Sequence, residues 1–69
     1  IYGIFMKTHN VRTIEGEMVQ ITEYDIRHMK MIHEKGKYTI HVLDRILNVD
    51  KSVIDMFSLV YPYIKLIKI

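Results

Sequence analysis

The chain has no cysteine and no tryptophan, and it contains one proline and three glycines among 69 residues. The absence of cysteine excludes disulfide bonds and thiolate metal sites, and we expect a cytoplasmic protein, in the host cytoplasm if it is viral. The longest charge-free run of the C-terminal half, residues 56–64, is far shorter than the roughly 20 residues of a membrane helix. The first residues lack the basic lead and small-residue cleavage site of a signal peptide, so neither a membrane partner nor a signal peptide is predicted.

Residue patterns typical of enzymes and metal sites are also missing from the sequence. There is no glycine-rich phosphate loop and no serine nucleophile motif, and Glu15 and Glu17 flank a glycine as in a turn. The four histidines lack the spacing of a zinc site, and His33 is expected to be a partly buried side chain. The sequence therefore predicts no enzyme, no metal and no cofactor.

The residues that are present describe one small domain with a modest positive charge. Hydrophobic residues make up 49% of the chain, the net charge is +2, and the pI is about 9.0. A chain of this length buries only about 60% of the surface that it exposes when unfolded. Its charge permits a nucleic-acid partner without requiring one. The absence of alanine, together with abundant Ile, Lys, Tyr and Met, is typical of AT-rich genomes such as those of many phages.

The hydrophobic pattern divides the chain into residues 1–21, 22–63 and 64–69. In the first part, β-branched and aromatic clusters at 2–6, 11–14 and 18–21 are separated by turn-like residues at 9–10 and 15–17. This part is predicted to be a β-hairpin or strand arm. The last part, with two lysines among β-branched and aromatic residues, is predicted to be a strand or a tail.

The middle part carries three helix signals. Thr22 and Asp25 form a capping-box pattern, which predicts a first helix over 23–35 that ends at Gly36. Thr39 is a second N-cap candidate, and apolar residues at 40, 43, 46 and 47 predict a second helix. Asp50 is expected to cap a third helix over 51–60, followed by Pro62.

Residues 43–54 resemble the helix-turn-helix family. Leu43 and Leu47 occupy its aliphatic positions, Asn48 its turn position, Val49 its buried valine and Ile54 its recognition-helix aliphatic. The span 22–63 is similar to the homeodomain-like or resolvase-like subtype of phage regulators and phage homing endonucleases. The resemblance implies a three-helix core, so the expected fold is mainly α, with the short N-terminal β-hairpin and the C-terminal strand or tail added to that core. Asp44 departs from the family, which has a small residue there.

The resemblance also implies a DNA-binding surface and a function. Base edges would be contacted by Lys51, Ser52 and Asp55, and phosphates by Lys37, Tyr38, Thr39 and Lys65. The expected function is duplex DNA binding by a phage-type transcriptional regulator, with a homodimer formed through the terminal strands. Two alternatives stay open: a protein-binding module, such as a small phage protein acting on a host enzyme, and a DNA-binding fragment of a larger nuclease.

Overall fold

The computed structural model describes residues 7–69, which form six strands and two helices. Strands make up 48% of this part and helices 22%, so the prediction of a mainly α, three-helix core is wrong. In chain order the elements are β1 (Thr8–Arg12), β2 (Met18–Thr22), α1 (Glu23–Ile26), β3 (Met29–Glu34), β4 (Lys37–Val42), β5 (Arg45–Val49), α2 (Lys51–Val60) and β6 (Leu66–Lys68).

The strands form two sheets. β1 and β2 pair as an antiparallel hairpin, and the other four strands form a second sheet in the order β5-β4-β3-β6. β3, β4 and β5 are antiparallel neighbours along the chain, whereas β6 pairs in parallel with β3. A parallel return needs a crossover connection, and α2 supplies it between β5 and β6.

One hydrophobic core joins the hairpin, the four-stranded sheet and α2. Because side chains alternate across a strand, every second residue of the sheet lies on the core side. At the centre of this side Met31 and Ile40 pair across strands and are fully buried. The buried apolar residues are Val11, Val19, Ile21, Ile26, Met29, Met31, Ile40, Val42, Leu47, Val49, Ile54, Phe57 and Tyr61.

The predicted first helix over 23–35 is wrong beyond its first turn. The capping box is present, with the Asp25 amide donating to Thr22 Oγ1 at 3.3 Å and the Thr22 amide to Asp25 Oδ2 at 3.0 Å. α1 nevertheless ends at Ile26, and β3 begins three residues later. In β3 the buried Met29 and Met31 flank the exposed Lys30, a period of two that a helix cannot match.

The predicted second helix is wrong as well, because a two-residue turn divides its residues between β4 and β5. Leu43, expected on a buried stripe, lies in that turn with φ 48° and is 65% exposed. Asn48, expected at a left-handed turn, lies within β5 instead. Asp44 is exposed in the turn, so its carboxylate needs no buried partner. Burial of Leu47, the second aliphatic position of the motif, is confirmed.

The third helix and two of the predicted strand regions are confirmed. α2 covers the predicted residues 51–60, and Asp50 is its N-cap residue, although its side chain makes no capping hydrogen bond. The hairpin is present, but the predicted break at residues 9–10 falls inside β1. The C-terminal strand is β6. The strand predicted at residues 2–6 lies outside the described residues.

The turn between β3 and β4 offers a simple test of the hairpin assignment. Lys35 and Gly36 both have positive φ, 53° and 76°, as the two central residues of a type I′ hairpin turn require. Asparagine adopts this conformation more easily than lysine. We expect Lys35→Asn to raise the free energy of unfolding by about 0.5–1 kcal/mol in urea denaturation. The control Lys37→Asn, within β4, should lower it slightly because asparagine is disfavoured in strands; equal effects would contradict the turn.

Among residues 7–69, no helix combines the length and the apolar character that crossing a membrane requires.

Candidate nucleic-acid interface

The hairpin of β1 and β2 has one buried face and one exposed face. Strict alternation along both strands places His9, Val11, Val19 and Ile21 toward the core. The remaining side chains form what we call the hairpin face, which is exposed except for the half-buried Thr22. Its members are Thr8, Asn10, Arg12, Met18, Gln20 and Thr22.

The register of the hairpin orders this face in three cross-strand pairs. Asn10 lies directly opposite Gln20 at the centre, Arg12 opposite Met18 toward the turn, and Thr8 opposite Thr22 at the far end. Three pairs at every second position extend over about 14 Å at a rise of about 3.4 Å per residue. All the polar members are uncharged except Arg12, so the face of the described hairpin carries one positive and no negative charge.

The open end of the hairpin is held against α2. The His9 ring stacks edge-on to Phe57 and Tyr61, at centroid distances of 5.3 and 5.5 Å. His9 Nε2 and the Tyr61 hydroxyl also share a hydrogen bond of 2.8 Å. Burial, with smaller contributions from Glu23 and Tyr63, raises the pKa of Tyr61 above its ordinary value. The hydroxyl therefore stays protonated and available to His9 at physiological pH.

The turn end of the hairpin is held against β5. The Ile14 amide donates to the Asn48 carbonyl of β5 at 2.9 Å, and within the turn itself the Thr13 amide donates to the Glu17 carbonyl at 2.8 Å. Anchoring at both ends makes the hairpin a rigid support for the side chains of its exposed face.

Side chains of β5 bind both acidic residues of the hairpin turn. Arg45 donates to Glu17 Oε2 at 2.8 Å, and the Asn48 side chain donates to Glu15 Oε2 at 3.0 Å. The Asn48 hydrogen bond, followed by a bond to the backbone of Glu15 itself, lowers the pKa of the Glu15 carboxyl below its ordinary value. These carboxylates are bound toward the sheet and do not form part of the hairpin face.

The residues expected to contact DNA are divided between different parts of the fold. Lys51, Ser52 and Asp55 share the first turns of α2 and are exposed. Lys51 Nζ lies 3.1 Å from Asp55 Oδ2, and this hydrogen bond raises the pKa of the ammonium group above its ordinary value. Because each charge faces its opposite, these two side chains offer almost no net charge to phosphates.

Of the four expected phosphate contacts, Lys37 and Tyr38 lie near the start of α2, where they line a pocket with its N-cap residue Asp50. Lys37 is exposed, and Thr39 lies with it on the side of β4 opposite the buried Ile40. Tyr38 faces the core side and stacks on His33 at 4.1 Å, which confirms the expected partial burial of that histidine. Lys65 is exposed immediately before β6.

Groups of three or more histidine and carboxylate side chains that could hold a metal ion are not found among the described residues. A surface pocket of about 320 Å³ lies between the hairpin turn, the β3–β4 turn and the start of α2. It brings the two acidic residues Glu15 and Asp50 near the one basic residue Lys37 and the neutral Tyr38, so its lining carries an excess of negative charge.

Sequence reasoning did not identify the hairpin face, although a signal for it exists. Thr8, Asn10 and Arg12 alternate with His9 and Val11, which is the period of a half-buried strand. The same alternation recurs over residues 18–22. Searching each alternating segment for the composition of its polar side would have revealed the face.

Comparisons of the chain with protein-family models, with curated protein sequences and with solved structures give no match.

Proposed function

We propose that the chain binds duplex DNA by placing the hairpin face in the major groove. The hairpin contacts the DNA in place of α2, since the three-helix arrangement that would present α2 is absent from the described fold. The observation that carries it is the composition of an exposed antiparallel ribbon: three amide or guanidinium side chains, flanked by threonines, with no carboxylate.

The dimensions of the hairpin suit the groove. A two-stranded antiparallel ribbon fits the major groove of B-DNA, which is about 12 Å wide. The three cross-strand pairs extend over about 14 Å, the length of about four base pairs at 3.4 Å each. One hairpin would therefore contact a short site.

The side chains of the hairpin face match the hydrogen-bonding pattern of base edges. Asn10 and Gln20 each present a donor and an acceptor, the combination that pairs with the N6 and N7 atoms of adenine. Arg12 presents two parallel donors, which match O6 and N7 of guanine, and the exposed apolar Met18 can contact a thymine methyl group. Threonine hydroxyls and the exposed Lys7, which immediately precedes β1, are suited to phosphate oxygens.

The test is fluorescence anisotropy of the full chain with labelled 20-base-pair duplexes, first of random sequence and then of a sequence enriched by selection. With Lys7 as the one cationic contact to phosphate, the affinity should fall roughly three- to fourfold between 50 and 200 mM salt. On the selected sequence, Arg12→Ala and the pair Asn10→Ala with Gln20→Ala should each weaken binding by about 5- to 100-fold.

The matched controls lie on α2. Lys51→Ala and Ser52→Ala should leave the affinity within about twofold, because Lys51 is compensated by Asp55. Absence of binding at 50 mM salt would contradict DNA as the partner. Loss of binding in the α2 variants with retention in the hairpin variants would place the interface on the helix instead.

A further inference from the structure

The four-stranded sheet has a second face, opposite the core, which we call the open face. It consists of the alternate residues of β3, β4, β5 and β6, and it is exposed at its edges and half-buried toward its centre. Ile46 is 62% exposed and Ile67 42% exposed at its two lateral edges. Its members are Lys30, Ile32, Glu34, Lys37, Thr39, His41, Ile46, Asn48 and Ile67.

The charges of β3 on this face are arranged symmetrically about an apolar centre. Lys30 and Glu34 are exposed at the two ends of the strand, and Ile32 lies midway between them. The two charged residues are four positions apart, a separation of about 13 Å. They are therefore too distant to form an ion pair with each other within the strand.

The same arrangement is complementary to itself. When two β3 strands are placed face to face and antiparallel, with Ile32 on Ile32, each Lys30 lies opposite Glu34 of the second copy. One two-fold axis then generates two oppositely charged pairs around a paired isoleucine contact. Because Ile67 is directly beside Ile32 in the β3–β6 register, this axis also brings Ile67 onto its own copy.

We propose that the open face docks on the open face of a second copy of the chain, with the two β3 strands antiparallel across a two-fold axis. The result is a β-sandwich of two four-stranded sheets with their inner faces about 10 Å apart. This interface differs from the terminal-strand dimer predicted from the sequence, and it does not depend on the DNA proposal.

The size of the face sets the strength of this dimer. Four strands spaced about 4.8 Å apart, each with about five residues, cover roughly 19 by 17 Å. Such a footprint, roughly 320 Å² on each copy, is well below the about 800 Å² per partner of a standard specific interface, so the association is weak and transient. We therefore expect a reversible dimer that forms with rising concentration. In this arrangement Lys37 lies opposite His41 of the second copy.

The experiment is sedimentation velocity of the full chain from 5 to 500 μM at pH 8 and 50 mM salt. The unmodified chain should change from monomer to dimer across this range. Lys30→Glu and Glu34→Lys should each weaken dimerisation by about tenfold or more, because two attractive contacts become repulsive. The double variant K30E/E34K should return to within about threefold of the unmodified chain, because each reversed charge again faces its opposite.

Circular dichroism of each variant shows that it is folded before it is compared. Restoration in the double variant cannot arise within one strand, since the two positions are about 13 Å apart. A chain that stays monomeric at 500 μM overturns the proposal. A dimer that is unaffected by the single reversals, or that the double reversal does not restore, overturns it too, because the contact then lies elsewhere.

Discussion

Glutamate in place of Met31 is expected to unfold the chain, whereas glutamate in place of the neighbouring Ile32 should leave it folded. Met31 is fully buried at the centre of the sheet, and Ile32 is half-buried on the open face. A chain of this length has a total stability of about 3–10 kcal/mol. The free energy lost by burying an unpaired carboxylate and by removing the methionine contacts equals most of this stability or exceeds it. Ile32→Glu should cost about 1 kcal/mol.

Circular dichroism and urea denaturation measure both variants under the same conditions. The pair also separates strand from helix at these residues. A helix over 23–35 would place Ile32 on one face with Ile26 and Met29, whereas the strand buries Met31. A greater loss of stability in Ile32→Glu than in Met31→Glu would contradict the strand.

Replacing Phe57 with alanine is expected to lower the melting temperature by roughly 15–30 °C. Phe57 is fully buried on α2, where removal of a large aromatic side chain costs about 3–5 kcal/mol. In a domain of this size each 1 kcal/mol changes the melting temperature by about 4–8 °C. The substitution also removes the ring contact between Phe57 and His9, so we expect the hairpin to be held less firmly against α2.

Leu59→Ala on the same helix is the matched control, since Leu59 is 82% exposed. Its free energy of unfolding should change by less than about 0.5 kcal/mol. Hydrogen exchange adds a second measurement: the amides of β1 and β2 should lose protection in Phe57→Ala and keep it in Leu59→Ala. Equal melting temperatures for the two variants would mean that α2 does not pack through Phe57.

The sequence predicted the structure correctly where one local signal decided the outcome. The residues of α2, the N-cap position Asp50 and the burial of Ile54 follow from a single helical stripe and its boundaries. The burial of Val49, which lies in β5, is implied by the resemblance to the helix-turn-helix family instead. The β-branched and aromatic residues near the C-terminus predicted β6 in the same way. The parallel pairing of β6 with β3 could not be predicted, because it depends on contacts distant in sequence.

The prediction for residues 29–49 is wrong because the same apolar residues fit both the periodicity of a helix and that of strands. Apolar positions 40, 43, 46 and 47 fit a helical stripe, yet Leu43 and Ile46 are exposed and only Ile40 and Leu47 are buried. Gly36 does have the positive φ that was expected of it, but in a hairpin turn instead of a helix end. A glycine with positive φ occurs both at helix ends and in hairpin turns, so Gly36 alone does not distinguish the two.

The candidate interfaces were only partly accessible from sequence. The alternation that creates the hairpin face can be read along each strand, but the position of Asn10 opposite Gln20 depends on the register set by the turn. On the open face, the sequence shows Lys30 and Glu34 four residues apart. A helix would make them neighbours on one side, whereas a strand places them at opposite ends of an apolar centre.

The parallel position of β6 has a consequence for how the chain folds. Met31 pairs with Leu66, 35 residues along the chain, whereas β3, β4 and β5 are joined by two-residue turns. Closing the longer loop costs about 2 kcal/mol more in chain entropy than closing a short turn. The three antiparallel strands should therefore associate early and the last strand late. Until β6 pairs with it, the edge of β3 can pair with other molecules. Faster docking of residues 66–68 should therefore reduce aggregation during folding.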